Sequence, residues 1–349
     1  MSMPSTPLQI DYIDPDGFDW NLSDLSLSKG YVCTGISGIE GMTVSLQTVP
    51  LLDGTAVPNI YIPQPGTINL GILVTRPSSD DEDDYYVLLD RVARAFYHRR
   101  NEQPRAGYLQ IQRPNGTSRQ IAVFTTAGQT SPDIGINNMS SFALTLQTPD
   151  PYWQDSVPNS ASFSAPGTVP GILPLLPVGL SGSNIGSNIT VVNNGNAQAW
   201  PVWTITGPGI PTVKNLTSGR QWSLNSSVAS GHVVQVVTKP GQQMAVDTTT
   251  STNVWDQLVL GGSLSNLWAL MAGTNVVNIA VSGATAATLV SLTWSNRWNR
   301  ALWLFSRSIA GRGQTLPSRL LARSYLRPYT SRLRPGRQIL YGSRSSILT

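Results

Sequence analysis

A mainly β protein in two units, the first carrying one amphipathic helix, is predicted by three features of the sequence. Only 12% of the 349 residues are charged, while glycine (31) and proline (25) are plentiful. That balance favours short strands and turns over long surface helices. Alternating apolar runs recur along the chain between turn pairs such as Asn115-Gly116 and Pro240-Gly241, the pattern of half-buried strands. One stretch alone, residues 78–100, has helical spacing instead. The length suffices for two domains of ordinary size, each with its own core.

The first forty residues are rich in turns, and DPDGFDW (14–20) is a turn carrying two aromatics. A glycine-broken apolar segment follows, then a proline-flanked loop in which Asp53-Gly54 is the turn signal. In TINLGILVT (67–75), Ile68, Leu70, Ile72 and Val74 fall on one face, so a strand buried on one side is predicted. The helix comes next. Serines and five acids (Asp80 to Asp84) open it and His98, Arg99 and Arg100 close it, matching the helix macrodipole. Tyr85, Leu88, Leu89, Val92, Ala95 and Phe96 follow i, i+3, i+4, i+7 spacing and form its packing face. GYLQIQRPNGTSRQIAVFTT reads as a hairpin with Asn115-Gly116 at its tip.

The strand that closes this unit places Phe142, Leu144 and Leu146 on one face and stops at Pro149, Asp150 and Pro151, ahead of Tyr152 and Trp153. Proline donates no ladder hydrogen bond and restricts the residue before it, so the strand must end there. These five residues are expected to form the seam between a first domain, 1–153, and a second, 154–298, with the Tyr-Trp pair set into the join. In the second, the runs RQWSL, HVVQVV, QMAVDT, NVVNIAV and ATLVSLTW are short and evenly spaced, with no helical pattern. They predict a β-sandwich.

Residues 299–349 lose that period and read as an extended basic arm. From Arg297 onward there are eleven arginines and no acid. The other twelve basic residues face nineteen acids, so residues 1–296 carry about −7 beneath an overall charge of +4. The arm has no nucleic-acid-binding motif, and its arginines are spaced by Ser, Leu and Pro. A contact arm on an acidic neighbour, with Arg327, Arg332, Arg334 and Arg337 as partner contacts, explains it at least as well as specific nucleic acid.

No catalytic constellation is visible, so an enzyme is not expected, nor is a cofactor. His98 and His232 lack ligand spacing, and Asp80 to Asp84 lack the alternation and closing glutamate of a calcium loop. Cys33 is alone and reads as a small buried hydrophobe. No signal peptide and no run of about 18 apolar residues is present, so no membrane span is expected. Trp200, Trp203, Trp222, Trp255, Trp268, Trp294 and Trp298 remain. Each is either core or subunit contact, or a platform for stacking on sugar. Trp200 and Trp203 lie three apart, so in a regular strand at most one is core.

The ordered set of segments resembles the distal tail proteins of long-tailed (siphovirus-type) bacteriophages. It comprises GISGIEGMTVSLQTVPLLDGT, INLGILVTRPSSDDEDDYYVLLDRVARAF, FALTLQTPDPYW, VVNNGNAQAWPVWTITGPG, LWALMAGTNVVNIAV and VSLTWSNRW, across residues 10–298. The resemblance implies a tail-tube-like ring-forming first domain and a galectin-like or carbohydrate-module-like second sandwich. It implies a structural virion protein at the tail tip, assembled in the host cytoplasm as a ring of six copies that lets DNA pass. The implied partners are the tail tube, tape-measure, tail-tip and fibre proteins, with a weak glycan contact as an added expectation. The arginine arm departs from the family's usual ending. The alternative reading is a carbohydrate-binding module or adhesin acting through the second sandwich.

Overall fold

The computed structural model describes residues 8–50, 56–76, 83–128, 139–164, 184–260 and 267–302. Asp53-Gly54, Asp80 to Glu82 and the arm arginines 327, 332, 334 and 337 lie outside them. The described residues fall in one compact unit, which contains two separate apolar cores.

The first core is wrapped by a nine-stranded sheet. Seven of its strands run in the order Asp19–Asn21, Gln9–Ile13, Gly107–Gln112, Ser118–Ala127, Met139–Thr148, Gly66–Thr75 and Tyr31–Ser37, and Trp153–Asp155 and Arg297–Trp298 pair beside them. The strand Ser118–Ala127 passes from one half of the sheet to the other. Ser118 to Val123 pair with Gly107–Gln112, and Phe124 to Ala127 pair with Met139–Thr148, with a register shift between Thr125 and Ala127. A strand that changes neighbours in this way folds a sheet around its own core. Ile68, Leu70, Ile72 and Val74 point into that core, as do Phe142, Leu144 and Leu146 from the adjacent strand. The hairpin turns at Asn115-Gly116, where Gly116 has φ +80° and its N–H donates to Arg113 O, a backbone state that glycine adopts without steric cost.

The helix spans Asp83–Ala95. Tyr85, Leu88, Val92, Ala95 and Phe96 are buried and Leu89 is half-buried against the same core. Tyr85 Oη is hydrogen-bonded to Ser140 Oγ at 2.6 Å, which ties the helix to the sheet it covers. The helix ends earlier than its sequence suggests, and His98, Arg99 and Arg100 lie beyond it. Arg100 sits in a two-residue strand yet donates from Nη2 to Arg94 O at 3.0 Å and from Nη1 to Tyr97 O, while Nε holds Asp16 at 2.8 Å. The cation that satisfies the helix's terminal carbonyls is thus supplied from outside the helix.

His98 is a buried polar hub rather than part of a charged helix end. Its Nδ1 lies 3.1 Å from Arg105 O and 3.2 Å from Gly107 N, and its Nε2 lies 3.1 Å from Thr125 Oγ1 and 3.5 Å from Tyr12 Oη. Tyr12 Oη donates to Ala95 O. A Cβ at position 107 would fall 2.5 Å from Tyr12 Oη, so glycine is required there. Burial holds the imidazole pKa below its ordinary 6.5. The unfolded chain therefore binds the proton first as pH falls, and the stability that neutral His98 contributes is lost below about pH 6.5. We expect the melting temperature to fall as the pH drops below about 6.5. His98→Gln should flatten that dependence relative to wild type, whereas parallel pH curves for the two proteins would rule out His98 as its source.

The second core lies between a six-stranded and a five-stranded antiparallel sheet. The first runs Asn159–Ser164, Leu289–Trp294, Val202–Thr206, Val233–Val237, Met244–Asp247 and Thr252–Asn253. The second runs Asn184–Asn193, Gly273–Ser282, Ile210–Asn215, Gln221–Leu224 and Leu258–Leu260. The predicted runs become strands, and the one helical turn among the described residues here is the 3-10 turn Trp255–Gln257. Trp203, Trp222 and Trp268 are fully buried, with Trp203 edge-on to Trp222 (5.9 Å) and Trp268 (5.5 Å).

Candidate functional site

Two places stand out: the joint between the two cores, and an uncovered hairpin on the first.

At the joint, the chain leaves the first sheet after Asp155 and comes back to it at Arg297–Trp298. The strand Trp153–Asp155 pairs on one side with Ser118–Ala127 and on the other with Arg297–Trp298, placing Trp153 opposite Trp298. Both tryptophans are buried in the first core, where Ala301 also packs. Asp150 accepts from Arg297 Nη2 at 2.6 Å and lies 3.3 Å from Lys239 Nζ, while the Arg297 guanidinium sits 4.2 Å over the Tyr152 ring. Asp155 accepts from Trp298 Nε1 at 2.7 Å and from Asn296 Nδ2 at 2.8 Å.

Beneath these pairs lies Arg119, which is fully buried. Its guanidinium stacks 3.7 Å over the Trp298 ring, and Nη1 donates to Arg300 O at 2.8 Å. Burial, with the nearby Arg113 charge adding to it, pulls its pKa down to about 10. The Ala301 N–H closes the strap by donating to Ile39 O. This arrangement has no nucleophile, base or ligand set. Its chemistry is that of a clamp, with charge-assisted hydrogen bonds and stacked planes fixing one segment against another.

Of the five residues expected at the seam, Trp153 lies at the apolar centre of this joint and Asp150 and Tyr152 at its polar edge. Arg119, Asp155, Asn296 and Trp298 were not singled out as joint residues by sequence reasoning. Arg119 could have been found, because it shares the alternating face of Ile121 and Val123, both buried. A charged residue in phase with core positions signals a buried contact. Beside the joint opens a cleft of about 540 Å³, lined by residues that include Tyr108, Phe124, Trp200 and Gln242.

Of the seven tryptophans singled out above, Trp203, Trp222, Trp268, Trp294 and Trp298 are buried. Trp255 is 39% exposed, and Trp200 is half-buried at the cleft. Cys33 is half-buried against the first core, which raises its thiol pKa. His232 Nδ1 lies 2.6 Å from Asp247 Oδ2, far from His98 in the fold's other core region. Among the described residues no group of three or more His, Cys, Asp or Glu could hold a metal ion, and no helix is long and apolar enough to cross a membrane.

The second place is the hairpin of strands Val44–Pro50 and Ala56–Pro63, a two-stranded sheet of its own. Leu46 lies opposite Tyr61 in its register. Tyr61 is 69% exposed, and Leu46, Val49, Ile60 and Ile62 are exposed as well. Successive strand residues point to opposite faces, so Ile60 and Ile62 leave one face apolar while Tyr61 and Leu46 do the same for the other.

No family model and no curated protein matches the sequence. Solved structures match the fold. The crystal structure of the SPP1 Dit (gp 19.1) protein is described as a paradigm of the hub adsorption apparatus in phages infecting Gram-positive bacteria. It aligns with a TM-score of 0.54 at 10% identity, over 84% of this chain and 99% of that one. A chain of the phage P2 baseplate in its activated conformation with Ca gives 0.52 at 8% identity, over 84% and 100% of the two chains. The corresponding baseplate with Sr gives 0.50 at 8%, over 83% and 98%. The fold is therefore that of phage tail hub and baseplate proteins. The chain is similar in fold to the SPP1 Dit protein, in keeping with the sequence resemblance to distal tail proteins.

Proposed function

We propose that this chain is a structural component of a phage tail tip, a distal tail protein whose copies form a closed ring between the tail tube and the host-adhesion apparatus. The observation that carries this reading is the apolar hairpin 44–63. A two-stranded hairpin is marginal in water by itself, and apolar side chains open on both faces mark an interaction surface. Seated between neighbouring copies, it makes the head-to-tail contact that closes a ring. The likeness in fold to a protein of the hub adsorption apparatus supports the same role, with six copies as the count the family resemblance implies. A ring of acidic bodies would let DNA pass without holding its phosphates.

The seam residues 149–153 then serve to join a ring-forming unit to an outward sandwich without a hinge. The basic arm, which follows Leu302 in the sequence, is proposed to lie through Arg327, Arg332, Arg334 and Arg337 on an acidic face of an adjoining tail protein, where arginine makes forked contacts to carboxylates. The place of action is the virion tail tip, after assembly in the host cytoplasm.

The test is the mass of the particle in solution. Wild type should run as a ring with six times the chain mass. Tyr61→Asp combined with Ile62→Asp should remain a folded monomer, because carboxylates cannot be buried unpaired in that contact. A wild type that stays monomeric at high concentration and in virions, or a double variant that assembles normally, would defeat the proposal.

A further inference from the structure

The strand Asn184–Asn193 is the outermost of its five-stranded sheet, and all ten of its residues pair on one side, with Gly273–Ser282. Among the described residues no strand pairs with its other side. We propose that this edge is a docking strand, to which a second, different polypeptide adds a strand of its own in the tail tip. The proposal rests on the tail-tip reading above.

The backbone groups of the edge have a definite direction. Val276 stands opposite Thr190. Its carbonyl accepts from Leu216 N at 2.8 Å and its N–H donates to Thr217 Oγ1 at 2.9 Å, so both groups face away from Thr190. Bonded and non-bonded pairs alternate along an antiparallel ladder. Ile185, Ser187, Ile189 and Val191 therefore exchange hydrogen bonds with Gly273–Ser282, while Gly186, Asn188, Thr190 and Val192 turn their N–H and C=O groups outward. These last four residues are also exposed.

An open edge invites indiscriminate pairing, and proteins blunt such edges with charge, proline, bulges or short length. Other edges of this fold are blunted in these ways. Asp19–Asn21, Thr252–Asn253 and Leu258–Leu260 are two or three residues long. Tyr31–Ser37 is bulged between Cys33 and Gly35, and its Cys33 N–H donates to Leu22 O. The strand Asn184–Asn193 has no charged residue, no proline and no shift of register over its ten pairs. An edge kept long, flat and uncharged is built for a partner.

The same strand states what that partner must be. Val191 is buried and Ile189 half-buried against the second core, so every second residue of an added strand falls on the core side and must be apolar. The outward side is neutral and polar, with Asn278 Nδ2 donating to Asn188 Oδ1 at 2.7 Å. A Cβ at Gly186 would meet no atom within 4 Å, which leaves room for a large side chain on the adjacent strand. An extended, uncharged segment with alternating apolar residues fits. Neighbours in a ring do not supply it. Setting this strand against its own counterpart takes a two-fold axis, which head-to-tail copies lack. The sandwich's other edges, at most six residues long, cannot cover ten.

Hydrogen exchange should be compared between the full chain alone, its assembled ring, and tails purified from virions. In the chain and the ring, the amides of Gly186, Asn188, Thr190 and Val192 should exchange roughly a hundredfold faster, or more, than those of Ile189 and Val191. In tails all six should be slow. Thr190→Pro removes an N–H that the sheet does not use. Its melting temperature and ring mass should stay near wild type, while its tails lose protection at Asn188 and Val192 and lack one protein component. Asn188→Lys combined with Thr190→Lys should do the same without altering the backbone, which covers the case of a proline that disturbs the sandwich. The proposal is overturned if the four edge amides are already slow in the chain alone, or if they stay fast in tails. It is overturned too if they slow on ring assembly, since the occupant is then a second copy, or if both variants give tails of wild-type composition. Absence of the chain from purified tails would defeat the tail-tip reading and this one with it, whereas the other outcomes bear on the edge alone.

Discussion

Arg119→Ala is expected to lower stability by about 3 kcal/mol and to loosen the segment from Arg297 to Leu302. Three losses act together. Removing a fully buried side chain leaves a cavity in the first core. The stacked contact with Trp298 disappears, a term on the order of 1 kcal/mol. The carbonyl of Arg300 loses its donor, and a buried acceptor without a partner costs about 1–3 kcal/mol. One effect opposes them. A guanidinium buried without a carboxylate in hydrogen-bond contact is itself costly, as its lowered pKa records despite the nearby Asp155 charge.

Arg119→Met separates these contributions, since it keeps most of the volume and removes the charge. It should fall between wild type and Arg119→Ala. Hydrogen exchange at the Ala301 amide, which donates to Ile39 O, should accelerate in the alanine variant before the sheet amides do. A melting temperature unchanged in Arg119→Ala, with Ala301 exchange also unchanged, would show that the strap holds without its arginine.

The strap also explains what could and could not be read from the sequence. Local periodicity was legible. The inward residues of Ile68 to Val74, of Phe142 to Leu146 and of the helix face from Tyr85 to Phe96 are buried as their spacing requires, Leu89 only in part, because a strand or helix announces its inward face every second or every third to fourth residue. The pair Trp200 and Trp203 was not legible in this way: Trp203 is buried and Trp200 half-buried, but Trp200 precedes the strand Val202–Thr206, so strand alternation does not apply to it.

Pairings across long stretches of chain were not legible. Trp153 meets Trp298, and Arg119 reaches Arg300 O. Neither partner's local sequence names the other, since such contacts are set by topology rather than by period. His98 shows a different obstacle. Beside Arg99 and Arg100 it looks like one more cation at a helix end, but the helix stops at Ala95. The chain then turns the imidazole inward onto Thr125 and Gly107, and only tertiary placement distinguishes the two fates. The hairpin 44–63 lies between these cases. Its segment was picked out by resemblance, while its exposed apolar faces became visible only once the larger sheets were seen to leave it uncovered.

Trp203→Ala should be the most damaging single change in the second core, costing about 4 kcal/mol. Trp203 touches both Trp222 and Trp268 edge-on, so its removal deprives two other fully buried rings of a contact at once. The indole nitrogens of all three have no hydrogen-bond partner among the described residues, so the loss is one of packing and ring contact rather than of hydrogen bonding. Edge-to-face pairs add about 0.5–1.5 kcal/mol each beyond area burial, which is why the alanine change should exceed that at a singly contacted core residue such as Val236. Trp203→Phe restores a ring of smaller volume and should recover part of the loss. Because the two cores are separate clusters, the damage should concentrate in the second. Limited proteolysis should then cut Trp203→Ala within residues 184–294, while the hairpin 44–63 and ring assembly survive. If Trp203→Ala instead melts like wild type, the three tryptophans do not form the centre of that core. If it abolishes assembly together with the fold of residues 8–148, the two cores do not respond separately, and the joint transmits unfolding from one to the other.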